Sequence, residues 1–528
     1  MRNILQHTTT EVREDLSMAF PKVLSNEAKN MPISKDGTSI AAAEHTLRSS
    51  DTPTQGRAVA RSPAMEEHCI GLRSLMLWGI EGARAYARQA RALGYASDEL
   101  DAALEGALNR LAEQRNDPEA LWRGLLGIGG WNLKVLELLD AARWASFGFP
   151  EPTAVRVTPL KGKAILVVGD DLNSLALLLE QTQDKGVQVY TQGELLAAHA
   201  YPKLRAYTHL VGNYGDAKFP GPILVTLGGS LGSESGCGRR IFTLEPAECP
   251  NAQPIENKDF APLIEAALAL PGFHEDAPAK TITVGFGHHA ILDIADRIIT
   301  AVMAGAVRHF FLIAGSEGSL PGGAYYDELA ERLPKDSVVL ALGPVRYRFH
   351  RRMFGTLGGI PRFLDMGQCY DGYSAMRVLG ALAAAFGCNI NALPLTVVVS
   401  PGEQRAVALL LGFLASGIRN IWLGPAQPAF CTPTLLRELS IRFGLKPVTQ
   451  PDSDLAAIPN PQSDGLFSKD QEKPEFYPGT LRSTGILGLR MGRSKSTSIG
   501  QHDKTQEQIP RRRFSFASLR SLQSFVGL

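Results

Sequence analysis

Short apolar runs recur through the middle of this chain, and they constrain its fold more than any other feature. Each run is followed by a turn that contains glycine and usually by a helical stretch. The runs are KAILVVGDD (163–171), ILVTLGGS (223–230), TITVGFGHH (281–289), HFFLIAGSEG (309–318), SVVLALGP (337–344), LTVVVSPGEQ (395–404) and NIWLGPAQP (420–428). Apolar runs without alternation suit parallel strands that are buried on both faces. Strands that alternate with helices indicate doubly wound units, so the predicted fold class is α/β.

The number of runs predicts two Rossmann-like parallel-sheet domains, at residues 156–305 and 306–450. A helical bundle is predicted before them, at residues 65–155. In SDELDAALEGALNRLAEQ, Ser97 is the predicted N-cap, and the apolar residues fall on one helix face: Leu100, Ala103, Leu104, Ala107, Leu108 and Leu111. Asp117, followed by Pro118, begins the next helix with a cap and then a proline in the first turn.

Both ends of the chain differ from the middle in composition. Residues 1–64 are rich in Ser, Thr, Asn and charge, which predicts a disordered N-terminal extension. Residues 451–528 are predicted to be a disordered basic tail. It ends in RRRFSFASLRSLQSFVGL, which suits a surface-seeking helix, a motif for a protein partner or an inert tail.

Composition excludes several classes of protein. The net charge of +1 gives no electrostatic basis for nucleic-acid binding. No apolar run approaches the roughly 18 residues that a transmembrane segment needs. The six cysteines are scattered and form no C-x-x-C pair, which favours a reducing, cytoplasmic location over a disulfide framework.

Candidate site residues follow the predicted strands, because ligands bind beyond the carboxyl ends of open parallel sheets. They are Asp170, Asp171, His288, His289, Ser316, Glu403 and Arg405. One further loop adds Glu194 and His199, and another adds Cys369 and Asp371. Simpler roles remain open: Asp170, Asp171 and Ser316 suit helix caps, and Cys369 suits a small buried hydrophobe. Ser316 lies in A-G-S-E-G rather than the G-x-S-x-G of serine hydrolases.

Long stretches from about residue 66 to 447 resemble the hybrid cluster proteins, also called prismane proteins or hydroxylamine reductases. Among them are KGKAILVVGDDLNSLALLLEQT, VQVYTQGELLAAHAYPKL, GFGHHAILDIADRIITAVMAGAVRHFFLIAG and GGIPRFLDMGQCYDGYS. The resemblance implies a helical domain followed by two Rossmann-like domains. It also implies a mixed iron–sulfur–oxygen cluster where the three domains meet, reduction of hydroxylamine to ammonia, and links to nitric oxide and peroxide.

The resemblance also identifies cluster-ligand positions. Three potential ligands are kept, namely Glu194, Cys369 and Glu403, and Asp170 replaces a histidine. Cysteines of the family are replaced at Gly229, Ser316 and Pro344, and Arg405 replaces a lysine; Cys237 lies eight residues beyond Gly229. The closely spaced N-terminal cysteines of the electron-entry cluster are missing, since only Cys69 precedes residue 200. We therefore expect no N-terminal cubane cluster.

Three functions follow from this ligand set. One is a cluster-deficient paralogue with a binding or regulatory role in nitrogen-oxide or hydroxylamine metabolism, which binds a small ligand of that kind. Another is an oxidoreductase that reduces hydroxylamine, or handles nitric oxide or peroxide, with Ser316 and Arg405 lining its cavity. The third is a single metal ion held by Asp170, Glu194, Cys369 and Glu403. Alternatively, these acids only pair with Arg346, Arg348 or Arg405.

Overall fold

The computed structural model describes residues 63–113, 117–215, 218–226, 240–244, 252–316 and 323–458. All of them belong to one unit, Pro63–Gly479. The predictions for residues 1–62, for the tail from 459 and for the loop with Gly229 and Cys237 lie outside the described residues.

Three helices form the predicted N-terminal bundle: α1 (Pro63–Ala92), α2 (Asp98–Glu113) and α3 (Pro118–Phe147). The hydroxyl of Ser97 accepts a hydrogen bond from Leu100 N at 3.3 Å. Asp117 accepts from the amides of Glu119 and Ala120 at 3.1 and 3.2 Å. Both predicted N-caps are therefore confirmed.

The first sheet has eight strands in the order β7-β6-β5-β2-β3-β4-β1-β8. They are β1 (Thr153–Arg156), β2 (Lys163–Val168), β3 (Val187–Gln192), β4 (Leu210–Asn213), β5 (Ile223–Val225), β6 (Ile241–Thr243), β7 (Gln253–Pro254) and β8 (Thr281–Val284). Its helices are α4 (Leu172–Thr182), a 3-10 helix (Gly193–Ala200), α5 (Pro202–Arg205) and α6 (Ala261–Ala269). One strand corrects the prediction, because β8 pairs antiparallel with β1 at the edge.

The second sheet is fully parallel, in the order β13-β10-β9-β14-β15-β16. Its strands are β9 (His309–Gly315), β10 (Ser337–Leu342), β13 (Phe363–Gly367), β14 (Leu395–Ser400), β15 (Trp422–Leu423) and β16 (Lys446–Pro447), and a hairpin pairs β11 (Thr356–Leu357) with β12 (Ile360–Pro361). Its helices are α7 (His288–Asp293), α8 (Ala295–Met303), α9 (Gly323–Arg332), α10 (Arg346–His350), α11 (Gly372–Ala385), α12 (Gln404–Ala415), α13 (Pro433–Phe443) and α14 (Pro451–Ala456), with 3-10 turns at Cys369–Asp371 and Ile390–Ala392. The predicted two-sheet α/β architecture is confirmed.

Helix α12 leaves the second sheet and packs into the helical bundle, between α1 and α3. Two glycines allow this close approach: a Cβ atom on Gly82 would overlap the carbonyl of Gln404, and one on Gly129 would overlap the carbonyl of Leu411. Asn132 of α3 also donates a hydrogen bond to Ala408 O at 2.8 Å. The bundle therefore contains a helix from the far end of the sequence, which fixes the second sheet against it.

The described fold continues past the predicted boundary at residue 450. Helix α14 follows that boundary, and Asp454 is buried, with its carboxylate accepting a hydrogen bond from the Tyr325 hydroxyl at 2.9 Å. The first part of the predicted disordered tail is therefore helical. No helix of the described residues is long and apolar enough to span a membrane.

Candidate functional site

The candidate residues lie where strands of the two sheets end. In the second sheet, β9, β10, β13 and β14 are followed by Ser316, Pro344, Cys369 and Glu403. In the first sheet, neighbouring strands β2 and β3 are followed by Asp170 and Glu194. The charges of Glu194 and Glu403 both act on the thiol of Cys369, so the ends of the two sheets face one site, as expected for open parallel sheets.

Ser316 follows β9 directly and lies beside the loop that carries Glu403. Its amide donates to Ser400 O at 3.1 Å. A Cβ atom on Gly402 would lie 3.0 Å from Ser316 Oγ. The next described helix, α9, begins at Gly323, so Ser316 is not the N-cap of that helix.

Glu403 precedes α12 but makes no side-chain capping hydrogen bond. Burial, together with the nearby carboxylate of Glu194, raises the pKa of Glu403 to about 7. Both protonation states of this carboxyl are therefore populated at neutral pH. The group can donate or accept a hydrogen bond there.

Cys369 is almost fully buried, in a 3-10 turn after β13. Burial and the charges of Glu403 and Glu194 raise its pKa well above the usual thiol value. Gly343 has a φ of +73°, and a Cβ atom there would overlap Cys369 Sγ. A glycine is thus needed beside the sulfur, and Cys369 is a protonated thiol at neutral pH.

Arg346, at the start of α10, holds Glu194. Its Nη1 donates to both oxygens of Glu194, at 2.9 and 3.0 Å. Its Nε lies 3.3 Å from Asp365 Oδ2, and Asp365 also contacts the His350 ring at 2.6 Å. The side chain of Arg346 is completely buried. The carboxylate of Glu194 is therefore paired with a fixed cation.

Asp170 forms a second pair, with Arg405 of α12. The other oxygen of Asp170 accepts from Gln89 Nε2 of α1 at 3.0 Å. Gln89 in turn accepts from Arg143 Nη2 at 2.6 Å. The aspartate is 1% exposed, so this is a buried network and not a helix cap. Arg348 pairs with Asp327 at 3.0 Å.

Other sequence candidates lie elsewhere or play the simpler role. Asp171 is the N-cap of α4 and accepts from Asn173 N at 2.9 Å. His288 contacts Ser374 Oγ through its amide and its ring, at 2.6 and 3.1 Å. Burial lowers the pKa of both His288 and His289, so the pair is neutral near pH 7.

Sequence reasoning named Asp371 beside Cys369 but missed two polar groups of α3 near that turn, Arg143 and Asp140. Arg143 of α3 lies over the face of the Tyr370 ring. Burial raises the pKa of Asp371 and of Asp140 to about 7. No motif marks Arg143 and Asp140, because they lie on α3, whereas Asp371 lies in the turn after β13. Only the packing of α3 against that turn places them together.

The mixed cluster requires thiolates around its sulfide-bridged iron. Proline at position 344 offers no side-chain ligand atom, and the hydroxyl of Ser316 is a far weaker acid than a thiol. Arginines also contact Glu194 and Asp170. The described residues do not fit this cluster. Among them, no three His, Cys, Asp or Glu side chains are arranged to hold a metal ion.

Comparison with known proteins gives the family. Residues 7–456 match the model of the Prismane/CO dehydrogenase family. The chain belongs to this family. A hydroxylamine reductase of Burkholderia lata is 52% identical over 397 residues, covering 74% of this chain and 72% of that protein. One of Acidithiobacillus ferrooxidans is 50% identical over 385 residues, covering 71% and 69%. The resemblance seen in the sequence is confirmed.

Solved structures share the fold. Carbon monoxide dehydrogenase IV from Carboxydothermus hydrogenoformans superposes with a TM-score of 0.56 at 15% identity. The match covers 79% of this chain and 82% of that one. At this identity the similarity supports the fold alone.

Proposed function

We propose that this chain is a cluster-deficient member of the family, with a binding or regulatory role toward a small nitrogen-oxide or hydroxylamine ligand. One observation carries the proposal: arginines contact two of the acids at the ligand positions, Glu194 and Asp170. Ser316 and Pro344, where the resemblance implies cysteine ligands, support the same proposal. No redox step is assigned to the site.

Glu403 and Ser316 are the groups that would contact such a ligand. No cation among the described residues pairs with Glu403, whose pKa of about 7 reflects burial and the charge of Glu194. Hydroxylamine has both donors and acceptors, and a carboxyl near its pKa can serve either. The hydroxyl of Ser316 adds a second partner on the same side of the site.

Calorimetric titration with hydroxylamine at pH 7, without oxygen, tests the proposal. We expect binding to the metal-free protein and at least about tenfold weaker binding by Glu403→Ala, because a buried partner would be lost. Glu328→Ala is the control, since Glu328 pairs with Arg332 on the exposed face of α9. Absence of binding by the unmodified protein, or equal binding by Glu403→Ala, would contradict the ligand role.

The relatives named hydroxylamine reductase favour a second candidate, reduction of hydroxylamine to ammonia. It requires iron and sulfide in the purified protein and ammonia formation with a chemical electron donor. A single bound metal without sulfide would instead support the site of Asp170, Glu194, Cys369 and Glu403. A protein partner of the basic C-terminal tail remains a prediction, since the tail lies outside the described residues.

A further inference from the structure

Arg346 is the largest completely buried side chain among the described residues. Its Nη1 lies 2.9 and 3.0 Å from the two oxygens of Glu194. This nitrogen thus lies between the two carboxylate oxygens, where a metal ion chelated by Glu194 would lie. The guanidinium also donates from Nη1 to Gly367 O at 3.1 Å and lies near Asp365. Every one of these neighbours is an acceptor, as around a metal ion.

Asp170 has no oxygen free of contacts either. Arg405 contacts Oδ2, and Gln89 donates to Oδ1 at 3.0 Å. The pair is buried, with the side chains of Asp170 and Arg405 exposed by 1% and 18%. A metal ion could reach this carboxylate only by displacing the arginine.

The two pairs, together with Gln89, connect the two sheets and the bundle. Glu194 and Asp170 follow strands of the first sheet, and Arg346 begins α10, after β10 of the second sheet. Arg405 lies on α12, and Gln89 lies on α1 of the bundle. The contacts therefore lie where a cluster bound by all three parts would have joined them.

We propose that Arg346 and Arg405 are resident counter-ions that replace metal in this site, neutralising Glu194 and Asp170 and joining the two sheets and the bundle. This inference rests on the proposed loss of the cluster. An arginine stays charged at any ordinary pH. It is also part of the chain, so unlike a metal ion it cannot dissociate from the protein. Removing one partner leaves the other as an uncompensated buried charge, which is strongly unfavourable.

Thermal unfolding of full-length variants tests the role of Arg346. We expect Arg346→Met to lower the Tm by at least about 5 °C in metal-free buffer, since Glu194 loses its cation. Added Mn²⁺ or Zn²⁺ should restore about half of that loss, by binding the exposed carboxylate. The double variant Arg346→Met, Glu194→Gln should have a higher Tm than the single variant and should not respond to metal. The unmodified protein should respond to neither metal nor chelator.

Arg348→Met is the matched control. Arg348 lies on the same helix and pairs with Asp327, with side chains 17% and 29% exposed. We therefore expect a small decrease in Tm that added metal does not change. If Arg346→Met is not recovered folded but the double variant is, the proposal stands. If neither folds, the same comparison with Arg405→Met and Asp170→Asn decides it.

Two results would overturn the counter-ion role. One is a double variant no more stable than the single variant, and the other is an unmodified protein whose Tm rises with metal. These outcomes are separate from the proposed function. Iron and sulfide in the unmodified protein would refute the loss of the cluster, whereas the Tm comparison concerns the arginines alone.

Discussion

At the scale of single residues, two acids near Cys369, Asp140 and Asp371, have raised pKa values. Asp140 of α3 is one of them: burial and the charge of Asp371 raise its pKa to about 7, while Arg143 and Arg377 act against this. The folded protein therefore favours the neutral carboxyl. The unfolded chain ionises it near pH 4.

This difference predicts a pH dependence of stability. Because the folded-state pKa of Asp140 is raised, its contribution is complete below about pH 4 and is lost as the pH rises toward 7. Asp140→Asn should reduce the loss of unfolding free energy between pH 5 and pH 8 by at least about 1 kcal/mol. Urea unfolding at both pH values measures it. Asp296→Asn, at an exposed position on α8, should leave the difference as it was; a similar effect there would contradict the assignment to Asp140.

The sequence pointed to candidate site residues but not to their partners. Comparison within the family pointed to Glu194, Asp170, Cys369 and Glu403, and the ends of parallel strands place them around one site. The pairing of Glu194 with Arg346 was only one of the open alternatives. It depends on α10 turning back toward β3 of the other sheet, and such a contact has no periodicity or spacing in the sequence.

At the scale of elements, α12 links the site to the bundle. Its second residue is Arg405, and the helix packs against Gly82 at its start and against Gly129 further along. The sequence pattern assigned this helix to the second sheet, which is correct for its connection. Its position in the bundle depends on glycines of α1 and α3. In the sequence alone, these glycines indicate only a lower helix propensity.

Two glycines of α3 give a matched test of this packing. A Cβ atom on Gly129 would overlap the carbonyl of Leu411, whereas one on Gly127 would meet nothing within 4 Å. Gly129→Ala should therefore lower the unfolding free energy by about 1–3 kcal/mol. Gly127→Ala should raise it by up to about 1 kcal/mol, because alanine is the better helix former. Urea unfolding of both variants measures this; equal effects would mean that α12 does not pack closely here.

Long apolar runs predicted the strands of the second sheet correctly. They did not predict the direction in which an edge strand of the first sheet pairs. Strands β9, β10 and β14 lie side by side in the second sheet, as their uninterrupted apolar runs predict. Strand β8 was also predicted from one of these runs, yet it pairs antiparallel with β1. Direction depends on the path of the connecting chain, which the residues of a strand do not encode.

At the scale of the whole molecule, the fold is that of the family, whereas the site does not fit the family's cluster. The helical bundle and two mainly parallel sheets are those of the Prismane/CO dehydrogenase family, and relatives about half identical are hydroxylamine reductases. The site has Ser316 and Pro344 where the resemblance implies cysteine ligands, and arginines contact two of its acids. A fold can persist after its cofactor is lost, so we take function from the site.

Iron and acid-labile sulfide content tests this conclusion most directly. The full-length protein should be produced and purified without oxygen under iron-replete conditions, beside a hydroxylamine reductase relative as a positive control. We expect a colourless protein with far less than one iron and one sulfide per chain, while the relative is coloured and loaded. Several irons and sulfides per chain, with visible absorbance, would contradict the loss of the cluster.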